Sequence, residues 1–419
     1  MMFRAKEGDR VPEASRRQMP FFQSLAVAFA IAFAFSAFIY VDYFALPHIA
    51  AVETLLALGA YYGLLAAPRR TVLQAGFLIG IFWFYWIGFS FRYYGMPWAM
   101  PLMTLLFGVV YLLYFGVLAL SEQPFIRAVL LFGLTFVAPM GFNWMVPELP
   151  LLHSYLGVET WQFALILIAL AATATLKTPL RFAALLLLAG AFAPAYTPPS
   201  PPPLKIKLAA TAVPQELKWE PSNRMPTILG NLARIDDAAQ EGFELIILPE
   251  SVFPLFLNKA PELIEELKIR SEKIAIVTGG LLYEEGNNYN VTYFFHGGEM
   301  EVAKKMVLVP FGEYIPLPKW LGGWVNEVVF DGASDYLAAD HPTDFLLGGT
   351  LFRNAVCYEA TTDALFAGDP EYMIAISNNA WFTPSIEPTL QRLLMRYYAR
   401  RHHTLIFHVA NAAGTGIIE

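Results

Sequence analysis

A thiol, a pair of amines and two carboxylates stand beside short apolar runs in the back half of this chain. Cys357 is the single cysteine among 419 residues and follows Asn354-Ala-Val. Glu250 ends the run Glu244-Leu-Ile-Ile-Leu-Pro-Glu250, and Lys304-Lys305 open a segment that passes through Met-Val-Leu-Val-Pro-Phe-Gly to Glu313. These side chains form one chemical set. A thiol with its ordinary pKa of about 8.5 is mostly protonated at neutral pH, so it needs a base or a nearby positive charge to attack a carbonyl. Glu250 can take the proton. A lysine can stabilise the thiolate and then the oxyanion that forms on attack. A cysteine alone in an apolar strand is more often a small core residue, so the weight lies on the combination.

The elements that must position these groups alternate. Residues 205–213, 245–248, 274–282, 291–295, 351–357, 372–377 and 404–410 read as strands, being short, apolar and bounded by turn residues. Residues 225–241, 261–268 and 388–401 read as helices from their apolar spacing and polar breaks. Strand–helix alternation predicts an α/β domain.

The front half is different in kind. The chain is 56% hydrophobic and only 15% charged, too apolar for an ordinary soluble protein. Residues 1–202 hold 11 Lys+Arg against 8 Asp+Glu, a net of +3, and the remainder carries −10. An acidic back half argues against nucleic-acid binding. Seven apolar stretches, near 21–41, 48–67, 71–91, 98–120, 124–146, 160–176 and 180–196, are long enough or nearly so to cross a hydrocarbon core, which needs about 20 helical residues. The last two are joined by Lys177-Thr-Pro-Leu-Arg181 and read as a helical hairpin.

With the N-terminus inside, the inner segments carry Arg4, Lys6, Arg10, Arg16, Arg17, Arg69, Arg70, Arg127, Lys177 and Arg181, while the outer loops carry Arg92 alone. The positive-inside rule therefore places the N-terminus in the cytoplasm and everything after 197 on the far side. The first stretch reads as an uncleaved anchor. The expected organisation is a cytoplasmic basic tail (1–20), a transmembrane domain of about seven helices (21–196), a proline-rich spacer (197–203) and a periplasmic catalytic domain (204–419).

A glutamate, a lysine and a cysteine in this order, each beside a β-like run, resemble the catalytic set of the nitrilase superfamily. With a polytopic membrane segment in front, the chain is similar to the apolipoprotein N-acyltransferase family. The resemblance implies a four-layer αββα sandwich behind the α-helical polytopic membrane domain. It assigns the catalytic roles to Glu250, Lys305 and Cys357, with Lys305 chosen over Lys304 because it stands three residues before Leu308. It gives Glu313, Tyr358 and Glu359 supporting roles, the last two completing a Cys-Tyr-Glu triplet. Trp219, after Pro-Gln-Glu-Leu-Lys, and Trp144, in Gly141-Phe-Asn-Trp144, match substrate-bordering elements more weakly.

The implied reaction moves an acyl chain from a phospholipid, through a Cys357 thioester, to the α-amino group of a diacylglyceryl-cysteine on an apolipoprotein. It needs no cofactor and no metal. The implied setting is a bacterial inner membrane, with the enzyme acting as a monomer. Two departures stand out. Asn379 and Thr383 replace an aspartate and a glycine in the family's Asn-Asp-Ala-Trp-Phe-Gly, and the chain stops at 411–419, where the family adds closing strands and a final transmembrane helix.

Two rival readings remain open on the sequence. A membrane-anchored amidase or nitrilase would need only one anchor helix. A transporter or sensor with a degenerate nitrilase-like domain would carry paired charges near midplane, where Glu53 is the clearest ionisable residue. His402, His403 and His408 lack partners at metal-ligand spacing and read as surface or core histidines.

Overall fold

In the computed structural model the front half folds as apolar helices whose outward faces stay uncovered. The structure describes residues 19–193, 195–318, 320, 322, 323, 326, 327 and 335–419, so most of the basic tail lies outside the described residues. The helices are α1 (Phe21–Tyr43), α2 (Ala50–Ala66), α3 (Arg69–Phe84), α4 (Met100–Gly116), α5 (Pro124–Leu134), α6 (Thr160–Thr175), and the short α7 (Leu180–Ala184) and α8 (Leu187–Gly190). Counting the 3₁₀ turns that extend them, four helical stretches among the described residues are long and apolar enough to cross a membrane: Phe21–Tyr43, Arg69–Arg92, Pro97–Leu120 and Pro124–Gly141. Ala50–Ala66, Thr160–Thr175 and Leu180–Gly190 are apolar but shorter. Phe22, Leu55, Leu113, Leu120 and Val129 project from the bundle largely exposed, as lipid-facing side chains must.

Small residues let the helices close up. A Cβ on Gly80 of α3 would lie 2.6 Å from the Phe107 carbonyl oxygen of α4, so only glycine permits that approach. At the end of the bundle where α3 begins, the buried Arg127 donates to the carbonyls of Ala67, Leu118 and Ser121, satisfying chain ends that have no helical partner. The stretch expected to span 124–146 is α-helical only to Leu134 and ends in a 3₁₀ turn at Pro139–Gly141. Residues 142–146 run non-helical after a kink at Met140, where φ is +54°.

The back half contains two mixed five-stranded sheets. The strands are β1 (Ile206–Leu208), β2 (Leu245–Ile247), β3 (Ala275–Glu284), β4 (Asn287–His296), β5 (Glu299–Lys304), β6 (Asp344–Leu347), β7 (Thr350–Val356), β8 (Tyr372–Asn378), β9 (Leu405–Asn411) and β10 (Gly416–Ile418). One sheet runs β1-β2-β3-β4-β5, parallel through β3 and antiparallel beyond. The other runs β10-β9-β8-β7-β6, with β7, β8 and β9 parallel and both edges antiparallel. The sheets pack face to face through Leu245, Ile247, Val277 and Phe294 against Phe345, Val356, Ile376 and Phe407.

The helices of this half include α9 (Gln215–Lys218), α10 (Pro221–Gln240), α11 (Pro261–Ser271) and α12 (Glu387–His402). The longer pair, α10 and α11, cover the outer face of the first sheet through Ile235, Leu267, Ile246 and Phe295. The outer face of the second sheet is covered by α12. The result is the αββα sandwich. One hydrophobic cluster continues from α12 through Trp144, Leu149 and Leu152 into the helical bundle, so the two halves share a core.

Three strands went unread in the sequence. β5, Glu-Met-Glu-Val-Ala-Lys, is an edge strand whose charges face solvent. β6 and β10 are four and three residues long. β10 pairs antiparallel with β9, so one closing strand is present within 411–419. The apolar run after Lys305 is not a strand: Met306, Val307 and Val309 pack on the shared core instead.

Candidate active site

Cys357 was expected to end a strand, but the strand stops one residue earlier. Cys357 itself takes φ +56° and begins a 3₁₀ turn, Cys357–Thr361. That conformation costs a non-glycine residue ~1–2 kcal/mol, and it turns the side chain away from the pleat of β7. The Gln391 amide on α12 donates to Sγ at 3.7 Å, and the Asn379 amide donates to Gln391 Oε1 at 3.0 Å and to the Ala413 carbonyl at 2.9 Å. Burial raises the thiol pKa well above its ordinary value. The negative charge of Glu250 adds to this, and Lys305 opposes it without reversing it. Cys357 therefore rests as a thiol and needs a base when it attacks.

A carboxylate that can take the proton lies just past β2. Glu250 sits in a turn whose next residue, Ser251, has φ +48°. A Cβ at position 279 would meet Glu250 Cα and Ser251 N at 2.6 Å each, so Gly279 of β3 is what lets the turn approach. The Asn290 amide nitrogen donates to Glu250 Oε1 at 2.7 Å and to Glu313 Oε1 at 2.9 Å, joining the two carboxylates. The buried Lys218 ammonium donates to the Glu250 carbonyl at 3.1 Å. Its pKa is lowered to about 8 by burial, against the pull of Glu250 and Cys357.

Lys305 follows β5 directly and is 1% exposed. Its ammonium lies 2.7 Å from Glu313 Oε2. Burial works against its charge, but Glu313 first, then Cys357, Glu250 and Glu359, more than offset this, and the net pKa shift is upward. Lys305 is thus a fixed cation. Glu313 is held in turn by the Val309 N–H at 2.9 Å. Lys304 points away, pairing with Glu284 and lying over the Tyr289 ring.

The remaining expected residues divide by position. Glu359, buried, accepts from the Val356 N–H at 2.7 Å and from the Met306 and Val307 N–H groups at 2.8 and 3.1 Å. It straps the cysteine turn to the segment that carries Lys305. Tyr358 faces the membrane half: its hydroxyl accepts from the Asn143 N–H at 3.0 Å and donates to the Gly141 carbonyl at 3.2 Å. Trp144 is buried in the same junction, donating to Thr361 Oγ1 at 2.7 Å and stacked near Tyr358, so it clamps the two halves rather than lining an open wall. Trp219 is 44% exposed at the end of α9, beside Lys218.

Glu250, Lys305, Cys357, Glu313 and Glu359 therefore converge. Lys218, Asn290 and Gln391 join them unread in the sequence. Lys218 was visible there only as the neighbour of Trp219. Among the described residues no histidine, cysteine or carboxylate cluster is arranged to hold a metal. His402 pairs with Asp363 and Asp369 at the surface, and His408 is a hydrogen-bonded core residue. A carboxylate, a half-buried thiol and a fixed cation suit base-assisted attack on an acyl carbon, with the oxyanion beside Lys305.

Comparison with known proteins gives a consistent result. Residues 22–193 match the model of the apolipoprotein N-acyltransferase integral membrane domain. The chain is 47% identical to an apolipoprotein N-acyltransferase of Wolinella succinogenes, over 94% of this chain and 96% of that one. It is 36% identical to an apolipoprotein N-acyltransferase of Helicobacter pylori, over 94% and 95%. Among solved structures, a CN-hydrolase superfamily protein of Xanthomonas campestris is similar over 50% of this chain and 76% of its own, at 16% identity and a TM-score of 0.38.

Proposed function

This chain belongs to the apolipoprotein N-acyltransferase family and is a membrane-embedded acyltransferase, and from its site we propose a two-step transfer through Cys357. In the first step Glu250 takes the thiol proton and Sγ attacks the carbonyl of a phospholipid acyl ester. The oxyanion forms beside Lys305, the C–O bond breaks, and the lysophospholipid leaves as an alcohol. In the second step the free α-amino group of a diacylglyceryl apolipoprotein attacks the thioester. An amide forms, the C–S bond breaks, and the thiol is restored. A thioester suits this task because it reacts well with amines and slowly with water.

The observation that carries the reading is the opposition at Cys357. A carboxylate and an ammonium act on one half-buried thiol whose pKa is raised, so the nucleophile is generated only as it attacks. Glu359 ties the cysteine turn to the segment that carries Lys305, and Glu313 pairs with Lys305 and shares the Asn290 amide with Glu250.

We place the catalytic half (204–419) in the periplasm, beyond the spacer 197–203. Support comes from the two ends of the bundle. Asp42 at the end of α1, Arg92 after α3 and Asn143 after α5 bond Arg392, Thr383 and Tyr358 or Thr361 of the α/β half. Arg69 and Arg70 lie at the start of α3 and Arg181 in α7, at the opposite end, which a cytoplasmic location would favour.

The test is kinetic. Phospholipid alone should release about one equivalent of lysophospholipid per site and then stall, as a covalent acyl-enzyme requires. A diacylglyceryl peptide with a free amino terminus should restart turnover, a blocked one should not, and Cys357→Ala should show no burst. Steady release without an acceptor would mark a lipase-like hydrolase, and a burst that needs the peptide first would mark a ternary complex.

A further inference from the structure

One carboxyl group in the site has no place in this scheme. Glu387 opens α12 and is 2% exposed, and its Oε2 has no hydrogen-bond partner among the described residues. Its backbone is fixed, since the Glu387 N–H donates to Ser385 Oγ at 3.1 Å. One helical turn on, Gln391 shares its face of α12 and donates to Cys357 Sγ at 3.7 Å. The charge of Glu387 bears on the Cys357 thiol, and that of Glu250 bears on Glu387. Of the three carboxyl groups whose charge bears on the thiol, Glu313 is paired with Lys305, and the other two are Glu250, just past β2, and Glu387, on α12.

They differ in their company. Glu250 has the Asn290 amide as a donor and Lys218 on its carbonyl. Glu387 has neither, and no cation pairs with it among the described residues. A carboxylate buried without a partner is strongly disfavoured. The N-terminus of α12 favours the anion modestly, but burial, and after it Glu250, raise the Glu387 pKa well above the ordinary carboxyl range. The raised pKa favours the protonated carboxyl, whose Oε2 is buried without a partner on the helix face that also carries Gln391.

We propose that Glu387 is the general acid and base for the substrates' oxygen and nitrogen, while Glu250 serves the sulfur. This rests on the acyl-thioester reading above. In the first step the thiol proton passes to Glu250. As the tetrahedral intermediate collapses, Glu387 gives its proton to the departing alkoxide, leaving Glu250 protonated and Glu387 ionised. In the second step the attacking amine gives a proton to Glu387, and Glu250 returns its proton to the leaving sulfur. Both carboxyl groups end where they began. An alkoxide is a poor leaving group, so a proton delivered as the C–O bond breaks acts on the hardest part of the first step.

The test compares leaving groups. Glu387→Gln keeps the shape and removes the transferable proton. Acylation of Cys357 is read by intact mass after mixing purified protein with a phospholipid or with a p-nitrophenyl fatty-acyl ester, whose leaving group needs no proton. The variant should lose about 10²–10³-fold with the phospholipid and stay within about threefold of wild type with the aryl ester. Equal losses with both esters, or no loss with either, would overturn the role of Glu387 and leave the thioester reading standing. An acyl adduct that persists in Cys357→Ala would overturn that reading instead. Wild-type protein supplies a second measurement should the variant misfold. Across esters of increasingly basic alcohols its acylation rate should change little, and a steep decline would refute acid assistance.

Discussion

Replacing Asn290 by alanine removes two charge-assisted hydrogen bonds at once, because one amide nitrogen donates to Glu250 at 2.7 Å and to Glu313 at 2.9 Å. Asn290 is 5% exposed. Among the described residues its amide is the only side-chain donor hydrogen-bonded to the Glu250 carboxylate. A hydrogen bond to a charged group contributes ~1.5–3 kcal/mol. Glu313 keeps the Lys305 ammonium and the Val309 N–H, so its loss is the smaller one. If the Glu250 bond is felt fully in the first step, acylation slows by roughly 10–10²-fold, since each ~1.4 kcal/mol is a factor of ten. Asn290→Asp, which replaces a donor with a third negative charge, should be at least as slow. The assay is the rate of acyl-adduct formation on Cys357 with excess phospholipid, normalised to folded protein by thermal unfolding in detergent. Folded Asn290→Ala that acylates at the wild-type rate would refute the claim that this amide positions the base.

Glu359→Gln replaces an acceptor of three backbone N–H groups with a side chain that must turn an NH₂ toward at least one of them. Leaving a buried N–H unpaired costs ~1–3 kcal/mol, so the melting temperature should fall together with the acylation rate. Lys218→Met should alter the pH dependence of stability. The folded pKa of about 8 lies below the ordinary lysine value of 10.5, so between these values the unfolded chain binds the proton that the native protein does not. Wild-type stability relative to the variant should therefore rise from pH 8 to 10.5, by roughly 3 kcal/mol, and stay level below pH 8. Chemical denaturation of both proteins across that range checks the sign. A reporter active only in the periplasm should work when fused after Glu419 and be silent after Arg70, and the reverse pattern would overturn the orientation.

What could be read from the sequence follows the range of each physical signal. Apolar runs are local, and α1 through α6 and the strands β2, β3, β7, β8 and β9 are apolar from end to end or nearly so. β5 escaped because an edge strand needs only one buried face, and its glutamates lie on the other. The site's polar residues obey no local rule. Asn290 lies in a strand of polar and aromatic residues, Lys218 in a four-residue helix, and Gln391 in a helix rich in arginine. Each would pass for a solvated side chain in its own segment. What buries them is the meeting of two sheets and a helix separated by up to 170 residues of chain, which no window on the sequence contains.

A motif leaves the geometry open for the same reason. The Cys-Tyr-Glu triplet reads as three neighbours, yet the turn at φ +56° sends them three ways. Cys357 meets Gln391, Tyr358 meets the loop from α5, and Glu359 meets the backbone beside Lys305. A regular strand would have put Cys357 and Glu359 on one face and Tyr358 on the other. The left-handed residue is therefore what allows one short segment to hold the proposed nucleophile, join the sandwich to the helical bundle and fix the position of the Lys305 cation.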